Sequence, residues 1–329
     1  MNSQFNEKKY LELIFKGLRA RCDIDFSSYR EGTIKRRLSR RMAATGCDNY
    51  KDYFDYLEKN QEEYGRLFMD LTIKVGGFFR NRSVFEMLSD KIFPDIISAK
   101  ESKSDSTLRI WCAGCSFGEE VYSVAITLVE YLKKNEKKIN DYNISIFGTD
   151  IDDKVLEKAR AGVYDAEAVK EINREILDSY FSINLPASQS ASQPIRQQPA
   201  TNLLRHGQTS LSVPPEATNL ETPTKFRPCL PSYLVVDSIK QMVSFSMHDL
   251  TSKTSMSPPA GIVANYDLIL CRNLLIYFSE PLQKRAFSNL FNSLNPSCYL
   301  ILGKSESIPE FLKPFLVKQN PQHKIYKKI

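Results

Sequence analysis

In RIWCAGCSFGEEVYSVAITL, Arg109 to Leu128, two glutamates directly follow a turn of small residues. An apolar strand, a turn from Ala113 to Gly118 and an amphipathic helix place backbone close to any ligand at the strand's carboxyl end. A phosphate loop would need a lysine and a hydroxyl residue after its last glycine. Glu119 and Glu120 stand there instead, where they repel phosphates and complement the positive start of the helix. The ligand at this turn is therefore expected to be neutral or cationic. Cys112 and Cys115 form a CxxC pair, yet a structural zinc needs four ligands. The chain has only 3 histidines (His206, His248 and His323), none at a matching spacing. The pair reads as small packing residues, with no metal expected.

Three further stretches carry candidate chemistry. In IFGTDIDDKVLEKARAGVY, Asp150 ends a strand, where a carboxylate accepts hydrogen bonds from ribose hydroxyls. The plain alternative is a helix cap, for which Asp152 and Asp153 are also available. In YDLILCRNLLIYF, Arg272 follows a buried strand, so it must face a pocket, a carboxylate or both. Tyr277 lies one turn further on. In LTIKVGGFFRNRSVFEML, Arg80 follows two glycines and two aromatics.

These side chains need elements to hold them. TLRIWC, NISIFG, YDLILC and CYLILG are short apolar runs, separated by helical patterns at Glu119–Lys134, Asp153–Ala161 and Pro281–Leu294. That alternation predicts a doubly wound α/β sheet of buried parallel strands. Residues 1–75 differ. NEKKYLELIFKGL and YKDYFDYLEKNQEEYGRLFMDL have helical spacing. Between them, Lys35, Arg36, Arg37, Arg40 and Arg41 crowd about two turns of a helix. The expected organisation is a helical unit over 1–75 and an α/β domain over 76–329. A stretch rich in Ser, Gln, Pro and Thr, about 184–231, interrupts that domain and lacks the apolar periodicity of a packed element.

With 329 residues, 42% hydrophobic and 26% charged, the chain can bury a sizeable core. A net charge of +6 suits an acidic partner without requiring one. The basic segment is short and has no interleaved aromatics, which argues against nucleic acid. The longest apolar run contains Arg272, so no membrane insertion is expected. Its 7 cysteines have no framework spacing, and the N-terminus lacks a basic-then-apolar leader. A cytoplasmic, reduced, monomeric protein is the reading.

Taken in order, FFRN, GCSFGEEVYS, TDIDDKVLEKARAGVY, CRNLLIYF and GKSES resemble the chemotaxis receptor glutamate methyltransferases of the CheR type. The basic TIKRRLSRRM also resembles that family. The resemblance implies an all-helical unit before a Rossmann-like methyltransferase domain. It implies S-adenosylmethionine as cofactor, S-adenosylhomocysteine as product, and glutamates on the cytoplasmic helical domain of methyl-accepting chemoreceptors as acceptors. It further implies cofactor contacts at Lys74, Gly76, Arg80, Gly114, Glu120, Asp150, Asp249, Leu250, Cys271 and Arg272. Arg80 and Tyr277 would stand at methyl transfer, and Lys35, Arg36, Arg37, Arg40 and Arg41 would seat the acceptor surface. The family's Asn-x-Thr-x-Phe-Phe-Arg pattern is altered here, with Lys74 and Gly76 replacing Asn and Thr. A non-catalytic cofactor-binding scaffold or sensor, or a methyltransferase acting on a small molecule or RNA, are the alternative readings.

Overall fold

The computed structural model describes residues 2–22, 26–72, 76–184, 232–258, 265–320 and 322–329. Lys74 and nearly all of the Ser/Gln/Pro-rich stretch lie outside the described residues.

Four helices open the chain: α1 (Asn2–Cys22), α2 (Glu31–Thr45), α3 (Tyr50–Lys59) and α4 (Glu62–Leu71). They enclose their own core, which includes Ile14, Leu18, Ile34, Leu38, Leu57 and Leu67. The continuous helical pattern of YKDYFDYLEKNQEEYGRLFMDL is in fact two helices. Asn60 leaves helical geometry at φ −127° and ψ 78°. Its side chain and its own N–H both bond the Tyr56 carbonyl at 2.9 Å, so asparagine competes with the helical ladder there.

Not all of the basic segment is free to seat a partner. Arg41 donates to both carboxylate oxygens of Glu63 at 2.8 Å, and Glu63 is only 1% exposed. Tyr53 donates its hydroxyl to the same carboxylate at 3.0 Å. Arg40 donates to Asp70 at 2.6 Å. Both arginines therefore tie α2 to α4, while Lys35 pairs along its own helix with Glu31.

A long helix leads into the sheet, with α5 (Arg82–Met87) and α6 (Phe93–Glu101) joined by a π-helical turn at Leu88–Ile92. Pro94, near the start of α6, has no N–H and crowds the carbonyl of the preceding turn, which accounts for the widened turn. The main sheet contains β1 (Thr107–Ala113), β2 (Asn143–Asp150), β6 (Val243–Met247), β7 (Tyr266–Cys271), β8 (Leu294–Leu302), β9 (Leu316–Lys318) and β10 (Ile325–Lys328). Their order is β6-β2-β1-β7-β8-β10-β9. The first five are parallel as the alternation predicted, but β10 runs antiparallel to both β8 and β9. β9 therefore shares the direction of β8, and β10 follows β9 through a short turn as the second strand of a hairpin that inserts between the two.

Period-two burial divides β1 between two cores. Ile110 and Cys112 face α7 (Glu119–Lys134) and the α5–α6 helix. Trp111 and Ala113 face the α12 side (Glu280–Ser293). Beyond α8 (Asp153–Ala161), a small antiparallel sheet of β3 (Val163–Asp165), β4 (Phe181–Asn184) and β5 (Ser232–Val235) stands apart, in the order β3-β5-β4. Two short helices, α9 (Ala166–Val169) and α10 (Arg174–Tyr180), fill the chain between β3 and β4. The interrupting stretch joins β4 to β5.

Glu63→Ala would leave the Arg41 guanidinium without its main partner in a mostly buried position. Loss of about 3–5 kcal/mol is expected, read from denaturant-induced unfolding of the full chain.

Candidate active site

The strand order reverses at β1, which lies between β2 and β7. That switch point opens a crevice beyond the carboxyl ends of these strands. Gly114 leaves β1, Asp150 ends β2 and Arg272 follows β7, and all three line one pocket with Tyr277. Gly114 has φ +73°, and a Cβ there would come 2.8 Å from Leu274 Cδ2, so glycine lets the two turns close on each other. Ser116 N–H donates to Asp150 Oδ2 at 2.9 Å, and Asp152 N–H donates to Asp150 Oδ1 at 3.1 Å. Burial pushes the Asp150 carboxyl above its ordinary range, and these backbone donors partly offset it. The Ser116 hydroxyl beside it is buried and has no partner.

Arg272 organises the far wall. Its side chain donates to Glu120 at 2.6 Å, to the Arg80 carbonyl at 2.8 Å and to the Asn81 side chain at 3.0 Å. One guanidinium thus joins β7, the first turn of α7 and the FFRN loop. The loop is strained, with φ +51° at Phe79 and +62° at Asn81. A second clamp secures it: Phe79 N–H donates to Ser123 Oγ at 2.9 Å, and that hydroxyl donates to the Glu119 carbonyl at 2.6 Å.

Glu306, from the GKSES stretch, holds the turn that carries Tyr277. Its buried carboxylate accepts backbone N–H bonds from Gly303 at 2.6 Å, Asn273 at 3.1 Å, Leu274 at 2.9 Å and Leu275 at 2.7 Å. Burial raises its carboxyl, and the four donors oppose that shift. The helical unit closes the opposite side. Tyr29 lines the pocket beside Asp150 and Tyr277, and its ring meets Phe278 edge-on at 5.2 Å. Burial, with Asp249 and Asp150 nearby, keeps its phenol protonated far above the ordinary range. Arg30 N–H donates to the Tyr277 carbonyl at 2.9 Å.

The remaining candidates fall around this centre. Arg80 and Gly76 line an adjoining cavity with Glu119. Leu250 is buried, and Asp249 is exposed and accepts from the Thr251 hydroxyl and N–H. The Cys271 side chain is wholly buried in the core, so only its backbone can reach a ligand. Arg37 approaches Tyr277 from α2, close enough for the two to interact electrostatically. Cys112 and Cys115 are free, buried thiols whose pKa values burial drives well upward, in keeping with packing roles. Tyr29, Ser116, Asn273 and Glu306 escaped the sequence reading. GKSES hinted at Glu306, Ser116 and Asn273 sit inside GCSFGEEVYS and CRNLLIYF without standing out from them, and Tyr29 carries no local pattern.

Residues 74–200 and 225–323 match the family described as "CheR methyltransferase, SAM binding domain", and residues 9–72 match "CheR methyltransferase, all-alpha domain". The chain is a member of the CheR methyltransferase family. It is 28% identical over 298 residues to "Chemotaxis protein methyltransferase 2" of Vibrio cholerae, covering 90% of this chain and 84% of that protein. A second relative, "Chemotaxis protein methyltransferase" of Borreliella burgdorferi, is 28% identical over 307 residues, 90% of this chain and 89% of its own length. A third, "Chemotaxis protein methyltransferase 2" of Pseudomonas aeruginosa, is 28% identical over 82% of this chain and 76% of its own. As a CheR-type enzyme, this protein is an S-adenosylmethionine-dependent methyltransferase. The pocket suits that cofactor: a part-buried carboxylate and an unpartnered hydroxyl can meet nucleoside hydroxyls, and the Glu120 carboxylate in place of a phosphate loop suits a sulfonium.

Glu306→Gln puts an amide N–H₂ against backbone donors. A loss of about 1–3 kcal/mol in thermal unfolding is expected, together with reduced methyl transfer at saturating cofactor.

Proposed function

We propose that this enzyme moves the methyl group of S-adenosylmethionine onto glutamate side chains in the cytoplasmic helical domain of chemoreceptors, forming methyl esters and S-adenosylhomocysteine. The carrying observation is that α2 begins beside Tyr29 and Arg30, where Arg30 N–H bonds the Tyr277 carbonyl, and holds Arg37 within electrostatic range of that tyrosine. A cationic helix therefore borders the reacting end of the pocket. Neither Arg36 nor Arg37 takes part in an ion pair among the described residues, unlike Arg40 and Arg41. A glutamate-rich helical bundle is the complementary surface, and long-range attraction would speed its arrival. The names of the relatives support methyl transfer in chemotaxis.

In this reading Asp150 and Ser116 hold the ribose. Gly114 lets backbone approach the cofactor, Leu250 and Asp249 border the adenosine, and Tyr29 closes it from the helical unit. Glu120, fixed by Arg272, balances the cationic end. The acceptor carboxylate, with a reference pKa of about 4.3, is already ionised near neutrality, so no general base is needed. Its oxygen attacks the methyl carbon in line, the carbon–sulfur bond breaks, and the electron pair stays on sulfur. Alignment and exclusion of water supply most of the acceleration. Arg80 and Tyr277 orient the acceptor and the methyl group. The enzyme acts in the cytoplasm as a monomer. No described helix is long and apolar enough to cross a membrane.

Incubation with methyl-labelled cofactor and receptor-enriched bacterial membranes should give base-labile label on the receptor band. Label confined to RNA or to small molecules, or binding without transfer, overturns the proposal. Arg80→Ala should reduce transfer at least about 100-fold with cofactor affinity nearly unchanged. Charge reversal at Arg36 and Arg37 should raise the acceptor KM and flatten its salt dependence.

A further inference from the structure

The first residue of α7 has no role in the chemistry described so far. Glu119 is 7% exposed, and its Oε2 is buried without a hydrogen-bond partner. Its own backbone N–H bonds the carboxyl, but a buried carboxyl oxygen left without a partner is costly and calls for a ligand. The group is directed by its surroundings. A Cβ at Gly76 would fall 2.5 Å from Glu119 Cδ, so any side chain at position 76 would displace the carboxyl. Gly76 therefore lets Glu119 turn inward against the FFRN loop. Together they border a cavity of about 590 Å³ that Gly77, Phe79, Arg80 and Asn81 also line. The loop cannot drift from α7, because Phe79 and Glu119 share the Ser123 hydroxyl.

We propose that Glu119 is an acceptor-binding residue: its carboxyl donates a hydrogen bond to one oxygen of the incoming carboxylate, leaving the other oxygen to attack the methyl carbon. This rests on the reading of the enzyme as a carboxyl methyltransferase. Arg80, on the same cavity, supplies the opposite charge. A hydrogen bond to an ionised acceptor is about twice as strong as one between neutral groups. Methylation makes the acceptor a neutral ester, so the bond weakens once the product forms. The proton stays on Glu119 and is not consumed. The group so placed recognises carboxylate before transfer and favours release of ester after it.

Burial is the main cause raising the Glu119 carboxyl above 4.5, and neighbouring Glu120 adds to it. The Glu119 backbone N–H opposes that shift. Asp165, Glu167 and Glu171, with Arg80, Arg82 and Lys170, are the other charged groups lining the cavity. Tyr164 also lies within electrostatic range. Lys74, two residues before Gly76, lies outside the described residues. The sign follows from the raised value. Glu119 is a donor below its pKa and becomes a repelling carboxylate as pH rises through it, while the acceptor, with a reference pKa of about 4.3, only becomes more fully ionised over the same rise. The acceptor KM should therefore climb with pH on a limb above 4.5.

The test measures methyl transfer to receptor-enriched membranes across pH, with cofactor affinity measured separately by calorimetry. Glu119→Gln keeps a donor that does not titrate, so it should abolish the pH limb of KM. Glu119→Ala should raise KM about 10- to 100-fold, with the cofactor Kd within about twofold. Gly76→Ala should reproduce that rise, and the double variant should be no worse than either single one. Should Glu119→Ala fail to fold, the Gln profile decides. Wild-type and Glu119→Gln profiles that coincide overturn the role of Glu119 alone. Absence of base-labile receptor label with the wild type overturns this role and the acceptor assignment together.

Discussion

A guanidinium at the end of a buried strand must find partners or be excluded, and Arg272 meets that demand with three hydrogen bonds to two distant parts of the chain. It reaches the acid of α7, the backbone of the FFRN loop and the side chain of Asn81. The side chain of this ion pair's cation is 3% exposed, so its desolvation is offset only while these partners stay in place. The strained backbone at Phe79 and Asn81 is sustained by the same contacts. The geometry of the pocket therefore follows from satisfying one charge. In the proposed mechanism, Glu120 is shared between that structural task and the cationic end of the cofactor.

Glu306 is the complementary case, an anion neutralised by backbone rather than by a cation. Four N–H groups converge on it from both sides of the strand-to-turn junction after β7 and β8. Such a carboxylate fixes main chain, not side chain. It lets Asn273 hold φ +61° and presents Tyr277 to the pocket without a direct contact. With Arg272 on one side of the crevice and Glu306 behind it, the reacting region is framed by two buried charges of opposite sign. Each draws on elements far away in sequence, Arg272 through Glu120 and the FFRN loop, Glu306 through the backbone from Asn273 to Leu275.

Much of this was legible from residue order because buried parallel strands leave uninterrupted apolar runs and α/β sites collect at strand ends. Gly114, Asp150, Arg272 and Tyr277 could be picked out one by one, and the structure gathers them along one pocket. What escaped depends on long-range pairing. Nothing near Glu306 announces that it will accept bonds from Asn273 to Leu275. Nothing near Tyr29 says that it will pack on Phe278. Arg40 and Arg41 look like further solvent-facing cations until α4 supplies Asp70 and Glu63. Helical periodicity ran straight through Asn60, because apolar spacing does not register a local side-chain bond that ends a helix. The antiparallel β10 was invisible for a related reason, since strand direction is set by connection rather than by composition.

The placement of Glu306 bears on the order in which the molecule can be completed during synthesis. Strands β1, β2 and β7 and the helices between them emerge first and can begin to pair. The turn bearing Tyr277 stays unanchored until Glu306, more than thirty residues later, has left the ribosome and β8 has joined the sheet. The helical unit, made earlier, must then wait for Tyr277 and Phe278 before Tyr29 and Arg30 have anything to dock against. A nascent chain thus has no finished pocket until Glu306 has emerged. The ability to hold a reactive methyl donor arrives with the anchoring of one turn, not with the folding of the strands that flank it.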